Sequence, residues 1–204
     1  MMKNTWDERY AQPEYIYGKQ PNAWLAEKLK EIPVGRILFP AEGEGRNAVY
    51  AATLGWEVTA FDQSAEGRSK ALRLAAEKNV QIVYNLSDLT HFEAEPGSFD
   101  VIALIFVHMP EEIRSRVHKT LTKYLKPGGY LILEAFTKDQ LKNNSGGPKT
   151  EQLLYNNEQI TGDFPELDFL ESGDAIAHLD EGLLHRGEAN VVRLFARKAA
   201  TLNH

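Results

Sequence analysis

Cysteine is absent from the 204 residues of this chain. Its absence excludes a disulfide scaffold, a thiolate metal site and a cysteine nucleophile, and it fits a reducing compartment. The six histidines show no convincing metal-ligand spacing, because His178 and His185 lie seven residues apart without a third partner. We therefore expect no metal site in this protein.

Long hydrophobic runs are also absent. The longest spans residues 101–107, far short of the ~20 residues that cross a bilayer, and the first nine residues contain no apolar signal core. Acidic residues outnumber basic ones by 29 to 23, which gives a formal net charge of −6. Such a chain lacks the electrostatic footprint of a nucleic-acid-binding protein. These features predict a cytoplasmic protein that acts on a small molecule and binds neither membranes nor nucleic acid.

The sequence does contain short apolar runs that alternate with helical stretches. Strands are predicted at residues 36–39, 56–61, 80–84, 100–107 and 130–133. Helices are predicted over residues 47–54, from a Ser64 cap to about Lys78, and from Pro110 onward. The apolar residues of this last helix are four apart: Ile113, Val117, Leu121 and Leu125. Alternation of this kind is typical of a parallel, doubly wound sheet with right-handed crossovers.

The last two predicted strands, at residues 167–170 and 190–196, have little helix between them and are separated by the turn signals Glu181-Gly182 and Arg186-Gly187. They suggest an antiparallel pair at one edge of the sheet. The complete prediction is an α/β fold with a mostly parallel seven-stranded sheet and an antiparallel C-terminal strand pair. We expect one domain over residues 1–204, in which residues 1–32 form a helical, aromatic-rich extension.

A glycine-containing turn follows the first predicted strand and spans residues 42–48. Gly43 and Gly45 permit a tight turn and a close approach of the backbone to a ligand. The helix that begins after them presents free N–H groups, where a ligand carboxylate or phosphate can sit. The same spacing also matches the dinucleotide fingerprint and an ordinary strand-to-helix turn.

Carboxylates follow the second and third predicted strands. Asp62 lies 17 residues after the last glycine of the turn, where it can accept both hydroxyl hydrogens of an adenosine ribose or cap the next helix. Asp88 can accept a hydrogen bond from an adenine amino group, with Leu89 packed on the ring, or can be an ordinary turn residue. Phe106 or His108, at the end of the fourth strand, is expected to face the opposite side of the ligand.

These motifs, together with the segment Leu-Lys-Pro-Gly-Gly-Tyr-Leu at residues 125–131, make the sequence resemble the class I S-adenosylmethionine-dependent methyltransferases. A glycine-rich kink before the fifth strand is routine in that family. The resemblance covers roughly residues 6–198. Within the class, the segments 6–10, 45–47 and 184–186 make the chain most similar to the small methyltransferases related to the tellurite-resistance and thiopurine enzymes.

The resemblance implies S-adenosylmethionine as the cofactor. The residues that it places in the cofactor site are Glu42, Gly43, Glu44, Gly45, Arg46, Asn47, Asp62, Gln63, Ser87, Asp88, Leu89 and Phe106. For Arg46 two interpretations stand, a partner of the methionyl carboxylate or a solvated residue of the first helical turn. One departure from the family is Pro40, because a proline has no N–H for the ladder; we expect the first strand to end near Phe39.

The implied reaction transfers a methyl group to a small-molecule acceptor by in-line displacement. Alignment of the reacting atoms contributes roughly 7–11 kcal/mol to such reactions. A soft anion such as a thiolate or a metalloid anion needs no base, whereas a hydroxyl or an amine benefits from a base within ~3 Å. No catalytic residue is identified; His108 and His185 are either candidates for a base or ordinary surface or helix-entry histidines.

Two segments are candidate lids. Tyr10, Tyr15 and Tyr17 in the N-terminal extension either close over the cofactor and shape the substrate pocket or only pack against the sheet. Residues 138–150 are predicted to form a loop that is long for a compact domain, which makes it a second candidate lid.

Two other functions compete with methyl transfer. A nicotinamide-dependent oxidoreductase agrees with the glycine turn and Asp62, but Tyr124 is followed by Gly128 where a catalytic Tyr-x-x-x-Lys pair requires lysine. A non-catalytic module that binds S-adenosylmethionine is the second alternative. The chain is expected to be a monomer or a homodimer.

Overall fold

The computed structural model describes residues 3–200, in which helices and strands alternate. In chain order the elements are α1 (Lys3–Tyr10), α2 (Ala23–Lys28), β1 (Arg36–Pro40), α3 (Arg46–Thr53), β2 (Glu57–Asp62), α4 (Ala65–Glu77), β3 (Val83–Leu86), β4 (Phe99–Ile105), α5 (Glu111–Tyr124), β5 (Leu125–Phe136), α6 (Asn157–Gly162), β6 (Leu167–Asp180) and β7 (Arg186–Lys198). The predicted domain of 1–204 and extension of 1–32 include residues 1, 2 and 201–204, which lie outside the described residues.

The strands form one seven-stranded sheet in the order β3-β2-β1-β4-β5-β7-β6. The first five are parallel neighbours, while β7 runs antiparallel to both β5 and β6. The chain therefore winds outward from β1 in one direction and from β4 in the other. This topology confirms the predicted doubly wound fold with an antiparallel C-terminal pair.

Both faces of the sheet are covered, because the central strands are apolar on both sides. On one face Val117 and Leu121 of α5 and Ile160 of α6 pack on Ile102 and Leu104 of β4. On the other face Leu25 of α2, Ala48 of α3 and Ala71 of α4 pack on Ile37 and Val101. Most of the apolar run at 101–107 thus lies in a strand buried on both sides, as its composition predicts, but β4 ends at Ile105 because Phe106 adopts a left-handed φ of 54°, so the predicted end at residue 107 was wrong.

The ends of α4 show how local chemistry sets an element boundary. Ser64 caps its N-terminus, as predicted, with its side chain accepting the Gly67 N–H at 3.0 Å. At the C-terminus Asn79 adopts a left-handed φ of 54°, and Val80 N–H donates to Ala75 O at 3.0 Å. This is a Schellman-type closure. Because it uses Val80, the third strand begins at Val83, and the prediction of a strand from residue 80 was wrong.

The hairpin of β6 and β7 is much longer than predicted, and we call it the ribbon. Its strands pair from Leu167 with Lys198 to Asp180 with Arg186, with one register shift between Phe169 and Glu171, so only residues 181–185, the ribbon tip, lie between them. Ala177 and Leu179 pack with Ala189 and Val191 in a small core of the ribbon. The ribbon therefore continues past the end of β5, whose last residue pairs with Val191.

Three further boundaries differ by local hydrogen bonding. Pro40 still pairs with Phe61, so β1 ends one residue later than expected. Leu125, predicted as part of the stripe of α5, is the first residue of β5. The predicted loop at 138–150 opens with a 3₁₀ helix at Lys138–Lys142, closed by the Gln140 and Asn143 N–H groups.

Candidate active site

Strained backbone marks the ends of the two central strands. Ala41, directly after β1, has φ 50°, and Phe106, directly after β4, has φ 54°. Left-handed backbone in residues other than glycine costs of order 1–3 kcal/mol and concentrates at functional sites. In an open α/β sheet, ligands bind where the strand order reverses, which here is between β1 and β4. Strain and topology therefore point to the same edge.

The glycine loop, residues 42–47, requires both of its glycines. Gly43 has φ 62°, and a Cβ built on it lies 2.5 Å from the Tyr10 hydroxyl. Gly45 has φ 85°, and a Cβ there lies 2.4 Å from the Ala71 Cβ. Tyr84 of β3 also reaches this loop and donates its hydroxyl to Gly43 O at 2.6 Å. The loop is thus fixed by neighbours on both sides.

The Glu42 carboxylate lies at the start of α3, where the free N–H groups of the helix were expected to bind a ligand anion. Its Oε1 accepts the N–H groups of Asn47 at 2.9 Å and Ala48 at 2.7 Å. Burial raises the pKa of the Glu42 carboxyl to about 7, against the lowering effect of these hydrogen bonds and of Arg46. The N–H groups that were expected to bind a ligand anion are therefore used by a carboxylate of the chain itself. A ligand group beside Glu42 is better matched by a positive charge.

Asp62 lies at the end of β2, buried beside the glycine loop. Its Oδ2 accepts the Gly43 N–H at 3.0 Å, and its Oδ1 accepts the Ser64 N–H at 2.8 Å. Burial raises the pKa of Asp62, although both hydrogen bonds lower it. Ser87 N–H donates to Asp62 O at 3.0 Å, which brings the end of β3 to the same edge. Asp62 thus accepts the N–H of Ser64, the residue that caps α4, and does not cap the helix itself, while its carboxylate faces the loop.

Asp88 uses its carboxylate in its own turn. Oδ1 accepts the Thr90 N–H at 2.8 Å and the Thr90 hydroxyl at 2.7 Å, and Oδ2 lies 2.8 Å from His91 Nδ1. The side chain is 43% exposed. The neighbouring Leu89 and the predicted Gln63 are half-buried. The structure therefore shows the turn role for Asp88, and its contact with an adenine remains a prediction.

Glu44 and Arg46 hold the N-terminal strap, residues 11–22, onto the site. Glu44 forms a buried ion pair with Lys70 at 2.8 Å and accepts the Tyr17 N–H at 3.3 Å. Arg46 donates to Gln20 O at 3.2 Å and to the Glu181 carboxylate at 2.8 Å. Neither side chain is solvated, so the interpretation of Arg46 as a solvated residue is wrong.

The three predicted tyrosines attach this N-terminal part to the sheet edge. Tyr10 is buried against Gly43, and the Tyr15 hydroxyl donates to Lys70 O at 2.9 Å. The Tyr17 hydroxyl accepts a hydrogen bond from Arg9 at 3.0 Å. Leu183 N–H of the ribbon tip donates to Ile16 O at 2.8 Å. The strap and the ribbon tip thus meet above the carboxyl ends of the strands.

Four rings pack against one another at this edge, and we call this group of rings the aromatic chamber. The ring centroid of His185 lies 4.5 Å from that of Tyr17, 4.8 Å from that of Phe106 and 5.3 Å from that of Phe136. Phe106 and Phe136 stack at 4.5 Å. Phe106 directly follows β4 and Phe136 is the last residue of β5, so the chamber lies at the carboxyl ends of these strands and includes the predicted cofactor residue Phe106.

The two candidate histidines differ in the freedom of their ring nitrogens. His108 Nδ1 donates to Leu153 O at 2.7 Å, and its Nε2 accepts the Phe136 N–H at 3.3 Å. Burial lowers the pKa of His108 to about 4. His185 Nδ1 lies 3.3 Å from Glu181 Oε2, and within residues 3–200 its Nε2 has no hydrogen-bond partner. Only His185 therefore keeps a nitrogen for a ligand.

Behind the chamber lies a buried polar network that sequence reasoning missed. Asn22 Nδ2 donates to Glu134 at 2.6 Å and to Glu181 at 3.2 Å, and Arg193 pairs with Glu134 at 2.5 Å. These residues come from the strap, β5, the ribbon tip and β7. The one local signal was Glu181, four residues before His185, which the sequence analysis used only as a turn marker.

Two classes of site receive no support from the described part of the chain. Among residues 3–200 no group of three or more His, Asp or Glu side chains is arranged to hold a metal ion. In the same range, no helix combines the length and the apolar character of a membrane span.

Comparisons with known proteins agree with this geometry. A family model described as a methyltransferase domain matches residues 37–129. A probable S-adenosyl-L-methionine-dependent methyltransferase, TehB of Haemophilus influenzae, is 22% identical over 200 residues, which cover 95% of this chain and 67% of that protein. The crystal structure of TehB from Haemophilus influenzae superposes with a TM-score of 0.72 at 18% identity, over 96% of this chain and 66% of that chain.

A second solved structure is similar over the whole length. This structure comes from the conversion of a disulfide bond into a thioacetal group during echinomycin biosynthesis. It superposes on this chain with a TM-score of 0.79 at 15% identity, over 100% of this chain and 94% of that chain. This likeness supports the fold.

Proposed function

We propose that this chain, a class I S-adenosylmethionine-dependent methyltransferase close to the TehB-like group, methylates a small molecule with a soft nucleophile, such as a thiol or a metalloid anion. The observation that carries the proposal is the aromatic chamber beside Phe106, at the end of β4. An aromatic surface at this edge suits a small acceptor with a polarisable reacting atom.

The residues around the glycine loop fit the cofactor. S-adenosylmethionine, when bound, supplies an electrophilic methyl group on a positively charged sulfur. Two buried or partly buried carboxylates, Glu42 and Asp62, lie beside the loop and accept only N–H groups in the hydrogen bonds described above. Their negative charge favours a cationic ligand. Gly43 and Gly45 let the backbone approach that ligand closely.

The other predicted cofactor residues take two roles in this proposal. Gln63, Ser87, Asp88 and Leu89 border the adenine side, after β2 and β3. Glu44, Arg46 and Asn47 fix the loop to the strap, since Asn47 Oδ1 accepts the Asn22 N–H at 2.8 Å. In this arrangement Arg46 orients the ribbon tip through Glu181. The strap and Tyr10, Tyr15 and Tyr17 cover the site.

Binding and turnover test the proposal separately. We expect S-adenosylmethionine and S-adenosylhomocysteine each to raise the melting temperature, because a ligand at 100 times its Kd stabilises the folded state by about 2.7 kcal/mol. With cofactor bound, release of S-adenosylhomocysteine is then measured with a thiol, tellurite, an amine and a carboxylic acid. Reaction with the thiol or tellurite is the expected result. Stabilisation without turnover, or turnover with the amine or acid alone, contradicts the proposal.

A further inference from the structure

A buried hydroxyl bridges two backbone groups of the turn after β4, residues 106–110. Tyr155 is fully buried, and its hydroxyl accepts the Met109 N–H at 2.7 Å and donates to Val107 O at 3.1 Å. Val107 and Met109 are buried as well, so bulk water offers these groups no replacement partner. One oxygen atom from a distant part of the chain therefore fixes the shape of this turn.

Tyr155 is itself attached to the end of β5. Its N–H donates to Phe136 O at 3.2 Å, and its carbonyl accepts the Lys138 N–H at 3.1 Å. The ring is held by two further side chains, because His108 stacks on it at a centroid distance of 5.2 Å and the Arg114 guanidinium lies 5.2 Å from its centroid. The hydroxyl is therefore a fixed point to which the turn is tied.

A buried ion pair holds the guanidinium that contacts the Tyr155 ring. Arg114 Nε donates to Asp163 Oδ2 at 2.7 Å, and the same oxygen lies 2.8 Å from His118 Nδ1. Burial also raises the pKa of the Tyr155 hydroxyl, so the hydroxyl keeps its proton at neutral pH. That proton is the one donated to Val107 O.

Phe106 is the residue of this turn that requires such support. Its left-handed φ of 54° is unfavourable for a residue with a Cβ, and it persists only where the surroundings fix it. On one side of this residue, the Phe106 N–H donates to Glu134 O at 2.7 Å. On the other side, the Tyr155 hydroxyl holds Val107 O. The strained residue thus lies between two anchors, and its ring stacks on Phe136 in the aromatic chamber.

We infer that Tyr155 is a positioning residue for methyl transfer, an inference that rests on the proposed function. Its hydroxyl fixes the turn after β4 and thereby keeps the Phe106 ring in the aromatic chamber, where the proposed function places the acceptor. Because Tyr155 is fully buried, it acts through Phe106 and takes no part in the chemistry. A methyl transfer by displacement depends on the alignment of the reacting atoms, so loss of the hydroxyl should slow turnover.

Tyr155→Phe removes the oxygen and keeps the ring. We expect kcat with phenylmethanethiol or tellurite to fall about tenfold, while the Kd of S-adenosylhomocysteine, measured by calorimetry, changes less than about threefold. The affinity is retained because the glycine loop and Asp62 follow other strands, β1 and β2. Tyr124→Phe is the matched control, since its buried hydroxyl also donates to a backbone carbonyl, Phe92 O, at 3.2 Å. A kcat like that of the control, or parallel loss of kcat and cofactor affinity, overturns the inference.

A double-mutant cycle with Phe106→Ala shows whether Tyr155 acts through the Phe106 ring. A residue that acts only through this ring has nothing left to position once the ring is removed. Adding Tyr155→Phe to Phe106→Ala should therefore lower kcat by less than about twofold further. Losses that multiply, as expected of general damage to the fold, overturn the inference.

Hydrogen exchange tests the bridge in the wild-type protein and does not require that Tyr155→Phe folds. We expect the Met109 amide to exchange at least about 100-fold more slowly than an unstructured amide, and unprotected exchange overturns the inference. Failure of the inference differs from failure of the proposed function. If the wild-type enzyme methylates phenylmethanethiol or tellurite and Tyr155→Phe matches Tyr124→Phe, only the positioning role is wrong. If cofactor binds and neither probe reacts with the wild-type enzyme, the proposed function fails.

Discussion

Buried carboxylates are used differently in two regions of this molecule. Beside the glycine loop, Glu42 and Asp62 accept backbone N–H groups, and burial raises the pKa of each. Behind the aromatic chamber, Glu134 and Glu181 face Arg193 and Arg46. Under the proposed function the first region offers negative charge to a cationic cofactor, whereas the carboxylates of the second region are paired with arginines beside the aromatic rings. The family model covers the first region and stops at residue 129, before the chamber is complete.

Removing the Asp62 carboxylate beside the glycine loop should have the largest effect of the changes considered, a loss of cofactor affinity. Asp62→Ala deletes a buried carboxylate that fixes the Gly43 and Ser64 N–H groups. Hydrogen bonds to charged groups contribute about 1.5–3 kcal/mol each, so we expect cofactor affinity to fall by about 100-fold. Calorimetric titration with S-adenosylhomocysteine measures it. Asp168→Ala on exposed β6 is the control, and an affinity like that of the control contradicts the assignment of Asp62.

Separating the strap from the ribbon tip should disturb the aromatic chamber and leave the glycine loop almost unchanged. Gly182 has φ 77°, and a Cβ there lies 2.4 Å from Gly18 N and 2.4 Å from Ile16 O. Gly182→Ala therefore forces the two segments apart, with strain of about 1–3 kcal/mol. We expect kcat to fall about tenfold while cofactor affinity changes less than about twofold.

A matched variant isolates the strain in this experiment. Gly162→Ala, where a Cβ meets nothing within 4 Å, should leave kcat and stability near wild type. Parallel loss of kcat and cofactor affinity in Gly182→Ala would show that the two regions are not separable.

A change of pH should alter cofactor affinity less than either substitution alters the property that it affects. Glu42, with a pKa of about 7, is neutral below that pH and ionised above it. Affinity for the sulfonium cofactor should therefore rise by about fivefold, relative to S-adenosylhomocysteine, between pH 6 and 8. Titrations at both pH values measure this ratio, and Glu42→Gln should remove the change. A constant ratio in the wild-type protein contradicts a sulfonium contact with Glu42.

Ionisation of Glu42 has the opposite effect on the stability of the cofactor-free protein. Because the folded-state pKa of Glu42 lies above its ordinary value of 4.5, the folded state binds more protons than the unfolded state between these pH values. Its contribution to stability is complete below pH 4.5 and declines as pH rises through about 7. Cofactor binding and folding thus favour different charge states of Glu42.

Sequence patterns predicted the features that depend on near neighbours. The apolar run at 101–107 predicted a central strand, Ser64 predicted a cap, and the glycine turn and Asp62 were predicted to meet at one edge of the sheet. The structure places Gly43 N–H 3.0 Å from Asp62, in agreement with that edge. Periodicity and capping act over a few residues, so one sequence is enough to detect them.

The features that were missed depend on distant partners. Asn22 reaches Glu134, 112 residues away, and Glu181, 159 residues away. No local spacing encodes such contacts, and the sequence analysis therefore treated Glu181 as part of a turn. The ribbon length was missed because strands stabilised by a small separate core need few large apolar residues. His108 and His185 could not be told apart until the partners of their ring nitrogens were known.

The order in which the chain leaves the ribosome has a consequence for the chamber. β7, the last strand, lies between β5 and β6, and the tip before it packs on residues 16–18. A nascent chain that has emerged as far as Gly129 already carries the glycine loop and Asp62, but it lacks Phe136, Glu181 and His185. During synthesis, the aromatic chamber is therefore completed after the glycine loop and Asp62, the residues to which the proposed function assigns the cofactor.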